Sequence, residues 1–221
     1  MIKAVILDMD GTMIDTEMQS SLDWPEVGDK FGFKVNDQFI HTFLGLTGKI
    51  KIEKLKAMLP VSIDAHEVIE YYHSLVVQRF QKDGIDAKPG LVELLKDCKS
   101  KQLKLAVASA SSYDRIITIL TNINVVNYFD IIVSGDMISH QKPDPEIYIL
   151  TVQRLGLASD ECIVIEDSRV GIASAFSAAT ITVLVPDVEI PDATMLQQSN
   201  YCVPTLLDVI GILDSLLLQQ A

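Results

Sequence analysis

The chain has 221 residues, 48% of them apolar, enough to bury a sizeable core in one or two domains. Its formal net charge of −12 argues against a nucleic-acid binder, which needs a basic footprint, and disfavours attachment to an anionic membrane surface. Cys98, Cys162 and Cys202 lie far apart, with no C-x-x-C pair and no cysteine–histidine metal spacing, and read as buried, reduced thiols.

In chain order, the first strand is expected at residues 4–7 (AVIL), and it runs straight into Asp8-Met9-Asp10-Gly11-Thr12. A single Lys3 and a short apolar run broken by Asp8 do not make a signal peptide, so a cytoplasmic protein is expected. Two carboxylates one residue apart repel, which calls for positive charge between them. From Ile14 to about Lys88 no strand-like run appears; residues 51–59 and 65–80 have helical patterns, and Pro25 is expected to kink or interrupt the first helix. Roughly seventy residues are too many for one crossover, because a whole βαβ unit takes about thirty. A helical cap inserted after the first strand is the simplest account, giving a core of residues 1–14 and 88–221 and a cap of residues 15–87.

Four further β-branched runs follow, at residues 103–108, 130–133, 162–165 and 181–185. Their near-continuous hydrophobicity fits strands covered on both faces. Helix signals alternate with them. Pro89 suits the first turn of a helix reaching about Lys101, and Ser111 with Asp114 has capping-box spacing. Pro143-Asp144-Pro145 prefaces another helix, with Gly156 near its end. The expected fold class is α/β, a doubly wound parallel sheet with an inserted helical domain. The apolar tail at 203–218 carries Asp208 and Asp214 and is too short to span a bilayer.

Ligands of open parallel sheets bind beyond the carboxyl ends of the strands. There the sequence places Asp8 and Asp10, then Ser109 and Ser111, then Lys142, then Glu166 and Asp167. Each alone has an ordinary reading: aspartates and serines form turns and caps, and a lysine is usually solvated. Together, acidic pairs at two strand ends make a hard-oxygen site suited to Mg2+, with a cation and hydroxyls beside it for a phosphoryl group.

The order of these sites resembles the haloacid dehalogenase-like superfamily over essentially the whole chain: DMDGT matches its D-x-D-x-T motif, Ser109 its serine/threonine position, KPDPEIY its lysine and IEDSRVGI its acidic position. The resemblance implies that Asp8 attacks phosphorus to form an aspartyl-phosphate and that Asp10 moves protons. It implies Mg2+ on Asp8, Asp10 (through its backbone carbonyl), Asp167 and Glu166, and phosphate contacts from Ser109, Lys142, the Met9 amide and Ser111. Asp10 also makes dehalogenation an unsuitable chemistry. Two activities follow: a phosphatase on a small phosphate monoester such as a sugar phosphate, or a mutase similar to β-phosphoglucomutase. Thr12 stands where the mutase has valine, Ser20 where it has a cap histidine, and Gly48 where it has a phosphate-gripping arginine, with Lys49 displaced by one residue. These departures favour hydrolysis. Glu17, Gly45, Thr47 and Lys49 are the cap residues expected near substrate. A noncatalytic binding protein on the same fold is a third reading, set aside because every catalytic position is filled. The expected partner is a small phosphorylated metabolite, with neither nucleic acid nor membrane.

Overall fold

The structure, a computed structural model, describes residues 1–15, 21–43 and 48–218, with the backbone alone at 48–50, 81 and 83. Six parallel strands form one sheet in the order β3-β2-β1-β4-β5-β6: β1 Ala4–Leu7, β2 Lys104–Ser109, β3 Ile131–Ser134, β4 Cys162–Glu166, β5 Ile181–Leu184 and β6 Tyr201–Cys202. This is the doubly wound α/β class expected from the alternating pattern. All residues of β1 and β4 are buried, which explains why these strands read as unbroken apolar runs. The two-residue β6 went unpredicted because a pair of exposed residues leaves no period to read. β2 reaches Ser109, one residue further than expected, because Ser109 stays in register with Ser134 of β3. Leu7 pairs with Val107 on one side and Ile165 on the other, so the residues following β1, β2 and β4 emerge side by side.

The chain divides into two units, Met1–Asp15 with Asp86–Ala221, and Thr16–Ile85. In the second, the described helices are α1 Trp24–Phe31, α2 Asp37–Phe43, α3 Gly48–Met58 and α4 Ala65–Asp83. Pro25 marks an interruption rather than a kink: helical backbone at Ser21 gives way to a turn at Leu22 and Asp23, and α1 starts at Trp24. Pro25 stands in the first turn, where its missing N–H would have had no helical partner anyway. Trp24 is the hub of this unit's core: its ring stacks on Tyr72 at 4.3 Å and meets Phe39 and Phe43 at 5.2 and 5.3 Å. Trp24 is thus core, as are Val27, Phe39, Leu55 and Val68, while Tyr71 packs only partly buried against them.

In the first unit the helices are α5 Leu91–Ser100, α6 Tyr113–Asn122, α7 Glu146–Leu155, α8 Arg169–Ser177, α9 Ala193–Gln198 and α10 Leu206–Leu218. Pro89 lies just outside α5, whose N-cap is Gly90. The cap of α6 is Ser112, which accepts from the Arg115 amide; the expected Ser111 cap is corrected by one residue, and Ser111 is used elsewhere. α7 begins after Pro145 and ends at Gly156, as the proline and glycine signals indicated. Asp15 N–H donates to Asp86 O and Lys88 N–H to Met13 O, and Ile14 bridges Ala87 in antiparallel fashion, so the two crossings out of this unit are tied together. Cys98 and Cys162 are buried, but Cys202 lies on the edge strand and is exposed, contrary to the sequence reading. No described helix is long and apolar enough to cross a membrane.

Candidate active site

The strand order reverses direction between β1 and β4, the switch point at which such sheets leave a crevice. Asp8 follows β1 there and is 7% exposed, its N–H donating to Ile165 O on β4. Lys142, from the loop after β3, supplies the positive charge the paired aspartates called for. Its Nζ donates to Asp8 Oδ1 at 2.5 Å and to Glu166 Oε1 at 2.6 Å. Burial works against the Lys142 charge, but Asp8 and Glu166 overcome it and hold its pKa well above the usual lysine value. Burial pushes the Asp8 carboxyl up to about 7, opposed by Lys142 and reinforced by Glu166.

Glu166 is fully buried, and burial alone would raise its pKa. Lys142, the Tyr148 hydroxyl and the Ser168 amide outweigh that and keep it below the usual glutamate value. Its Oε1 accepts from Lys142 and from Tyr148 Oη at 2.6 Å; its Oε2 accepts from the amides of Asp167 and Ser168 and from Ser168 Oγ. A carboxylate has about four lone-pair sites, so these donors fill it. Asp167 differs. Its pKa lies well above the ordinary carboxylate value, first from burial and then from Glu166 and Asp8, and its Oδ1 accepts from Thr12 Oγ1 at 2.9 Å.

Ligand atoms of Asp8, Glu166 and Asp167 lie within 4.8 Å of one another. Hard oxygens this close, one of them held against its charge, fit a small divalent cation. The packing leaves no slack around them. Gly11 has φ +86°, and a Cβ there would fall 2.3 Å from Asp167 Oδ2; one on Gly171 of α8 would fall 1.8 Å from Glu166 Oε1.

Asp10 points to a different partner. Arg115 of α6 grips it with both terminal nitrogens, Nη2 to Oδ1 at 2.8 Å and Nη1 to Oδ2 at 2.9 Å, while Ser111 Oγ donates to Oδ2 at 3.0 Å. Ser109 is buried, and its Oγ accepts the Ser111 amide at 3.2 Å. The Met9 side chain is buried in the core. The structure therefore gathers Asp8, Lys142, Glu166 and Asp167 into one network and places Asp10 and Ser111 in a second, joined to the first through the backbone of residues 8–10. Glu17, Gly45 and Thr47, like Ser20, lie outside the described residues, and Lys49 is described only as backbone in α3.

Arg115 and Tyr148 are the contributors that sequence reasoning missed. Arg115 did leave a signal: it sits in the first turn of α6, where the helix dipole disfavours a cation, so a partner outside the helix was to be sought. Tyr148 left none, because a tyrosine on the inner face of a helix reads as core.

The fold and this constellation define a class: a doubly wound α/β enzyme that places carboxylates and a lysine at the sheet's switch point. Residues 5–185 match the family model of haloacid dehalogenase-like hydrolases, and the chain belongs to that family, as one of its phosphatase-type enzymes. A phosphorylated carbohydrates phosphatase of Thermotoga maritima is 30% identical over 176 residues, covering 80% of this chain and 81% of that one. A fructose-1-phosphate phosphatase of Escherichia coli is 28% identical over 79% of this chain and 91% of its own. Among solved structures, a β-phosphoglucomutase from Clostridium difficile superposes with a TM-score of 0.68 at 25% identity, covering 95% of this chain and 93% of that one.

Proposed function

We propose that the chain is a Mg2+-dependent phosphatase of a small phosphate monoester, a sugar phosphate, acting through an aspartyl-phosphate on Asp8. The observation that carries this reading is the buried Asp8 carboxylate held by Lys142 beside the acidic pair after β4. Asp8 Oδ attacks phosphorus, and the bond from phosphorus to the ester oxygen breaks with its electron pair on that oxygen, which takes a proton from Asp10. Lys142 balances the Asp8 carboxylate before attack and the phosphoryl oxygens after it, and the Ser109 hydroxyl donates to the phosphoryl group. Asp8, Asp167 and the Asp10 carbonyl are the groups that would hold Mg2+, with Glu166, already filled by donors, orienting Lys142 and the Asp167 backbone from behind. When bound, the ion neutralises phosphoryl and carboxylate charge. Residues 15–87 are proposed as the substrate-selecting cap, with Glu17, Gly45, Thr47 and Lys49 among its candidates.

Relatives named for phosphorylated carbohydrates and fructose 1-phosphate support this substrate class. The test is phosphate release from a panel of sugar phosphates and nucleotides, with and without Mg2+. Release from sugar phosphates that needs both Mg2+ and Asp8 is expected. Conversion of β-glucose 1-phosphate to glucose 6-phosphate, primed by the 1,6-bisphosphate and faster than hydrolysis, would instead establish a mutase.

A further inference from the structure

The Asp10 carboxylate is held by more than its position in the loop demands. Arg115 donates to both of its oxygens, and the Ser111 hydroxyl, which itself accepts from Arg115 Nη1, donates to Oδ2 as well. An ionised carboxylate offers about four acceptor positions, two on each oxygen. Arg115 and Ser111 fill both on Oδ2 and one on Oδ1, leaving a single direction on Oδ1 open among the described residues. The clamp is anchored in the sheet-bearing unit: Arg115 stands in the first turn of α6, whose cap Ser112 fixes the Arg115 amide. Burial opposes the Arg115 charge, but its bonds to Asp10 and the nearby Asp8 raise its pKa above the usual arginine value, so it remains a cation.

We infer that Arg115 is a positioning residue for the second half of the cycle, aiming Asp10 as a proton acceptor at the water that hydrolyses the aspartyl-phosphate. This rests on the phosphatase reading above. The water oxygen attacks phosphorus and the P–O bond to Asp8 breaks, its electron pair returning to the Asp8 carboxylate. One water proton passes to the open direction on Asp10 Oδ1, and inorganic phosphate leaves. Asp10 later delivers that proton to the oxygen of the next leaving alcohol. With the other positions occupied, the open direction on Oδ1 is where a water proton can arrive, and the rigid fork of Arg115 fixes it in place.

The test uses p-nitrophenyl phosphate with Mg2+, because nitrophenolate departs without a proton and formation of the aspartyl-phosphate then makes no demand on Asp10. In Arg115→Met, kcat should fall about 10–100-fold, at or below the lower end of the roughly 10²–10⁴-fold a positioned base contributes, since Asp10 itself remains. KM should fall with it, leaving kcat/KM within about 3-fold, since that ratio reports only steps through phosphoryl transfer. Acid quenching followed by intact-mass measurement should find most of the chain phosphorylated at steady state. Arg115→Lys, which restores one donor but not the fork, should recover part of kcat. Adding Arg115→Met to Asp10→Asn should cost little beyond Asp10→Asn alone, a comparison that needs no fully active variant. The inference is overturned if kcat/KM falls as far as kcat, if no phosphorylated chain accumulates, or if the two losses multiply. Failure of the phosphatase reading would show earlier, in a wild-type chain without Asp8-dependent turnover.

Discussion

The sheet-bearing unit and the helical unit bury different kinds of side chain. At the switch point of the sheet, Asp8, Lys142, Glu166 and Asp167 are packed together, with one lysine shared by two carboxylates. The helical unit instead closes around Trp24, Phe39, Phe43 and Tyr72, and the carboxylate it buries, Asp23, is paired with the half-buried Arg79. Clustered carboxylates cost stability unless compensated, whereas stacked rings contribute to it. Such a site is retained for chemistry, and such an aromatic cluster for folding. The same size of substitution should therefore have opposite consequences in the two regions.

The largest expected effect tests the first half of that contrast. Asp8→Asn should lower turnover by at least about 10^4-fold, as removing a nucleophile does, while the thermal midpoint of the metal-free chain at pH 8 holds or rises. The sign follows from the shifted titration: Asp8 ionises near 3.8 when unfolded and at about 7 when folded, so its contribution is present below the lower value and lost as pH rises through the upper one. A midpoint that fell steeply with Asp8→Asn would break the contrast. Trp24→Ala probes the other half and should cost about 3–5 kcal/mol. Hydrogen exchange should show amides of α1 and α4 losing protection while those of β1 and β4 keep theirs.

Tyr148→Phe refines the picture within the sheet-bearing unit. It removes a 2.6 Å hydrogen bond to Glu166 but leaves Lys142 in place, so a loss of about 1.5–3 kcal/mol in denaturant unfolding is expected. A larger loss would mean that Lys142 alone cannot hold the glutamate. The smallest effect is a gain. Ala179 adopts φ +57°, a left-handed conformation in which a Cβ is strained, just past the end of α8. Ala179→Gly should stabilise the chain by about 0.5 kcal/mol, the relief of strain less the added freedom of the unfolded chain, with activity unchanged.

Much of the fold was legible because doubly covered strands leave unbroken apolar runs, as 4–7 and 162–165 do. The helix ends at Pro145 and Gly156 were legible because their chemistry is local. Boundaries slipped where a tertiary partner decided them: Ser109 stays in the ladder because Ser134 faces it, and Ser112 caps α6 because Ser111 bonds to Asp10.

From sequence alone, the chemical groups at each strand end and their order along the chain could be stated, since a residue's type and its place after an apolar run are local facts. Which of those groups pair was decided in three dimensions. Lys142 lies 134 residues from Asp8, and Arg115 lies 105 from Asp10. No periodicity records such distances. Only the register of β1 against β2 and β4, and the packing of α6 and α7 on the sheet, bring Arg115 to Asp10 and Tyr148 to Glu166.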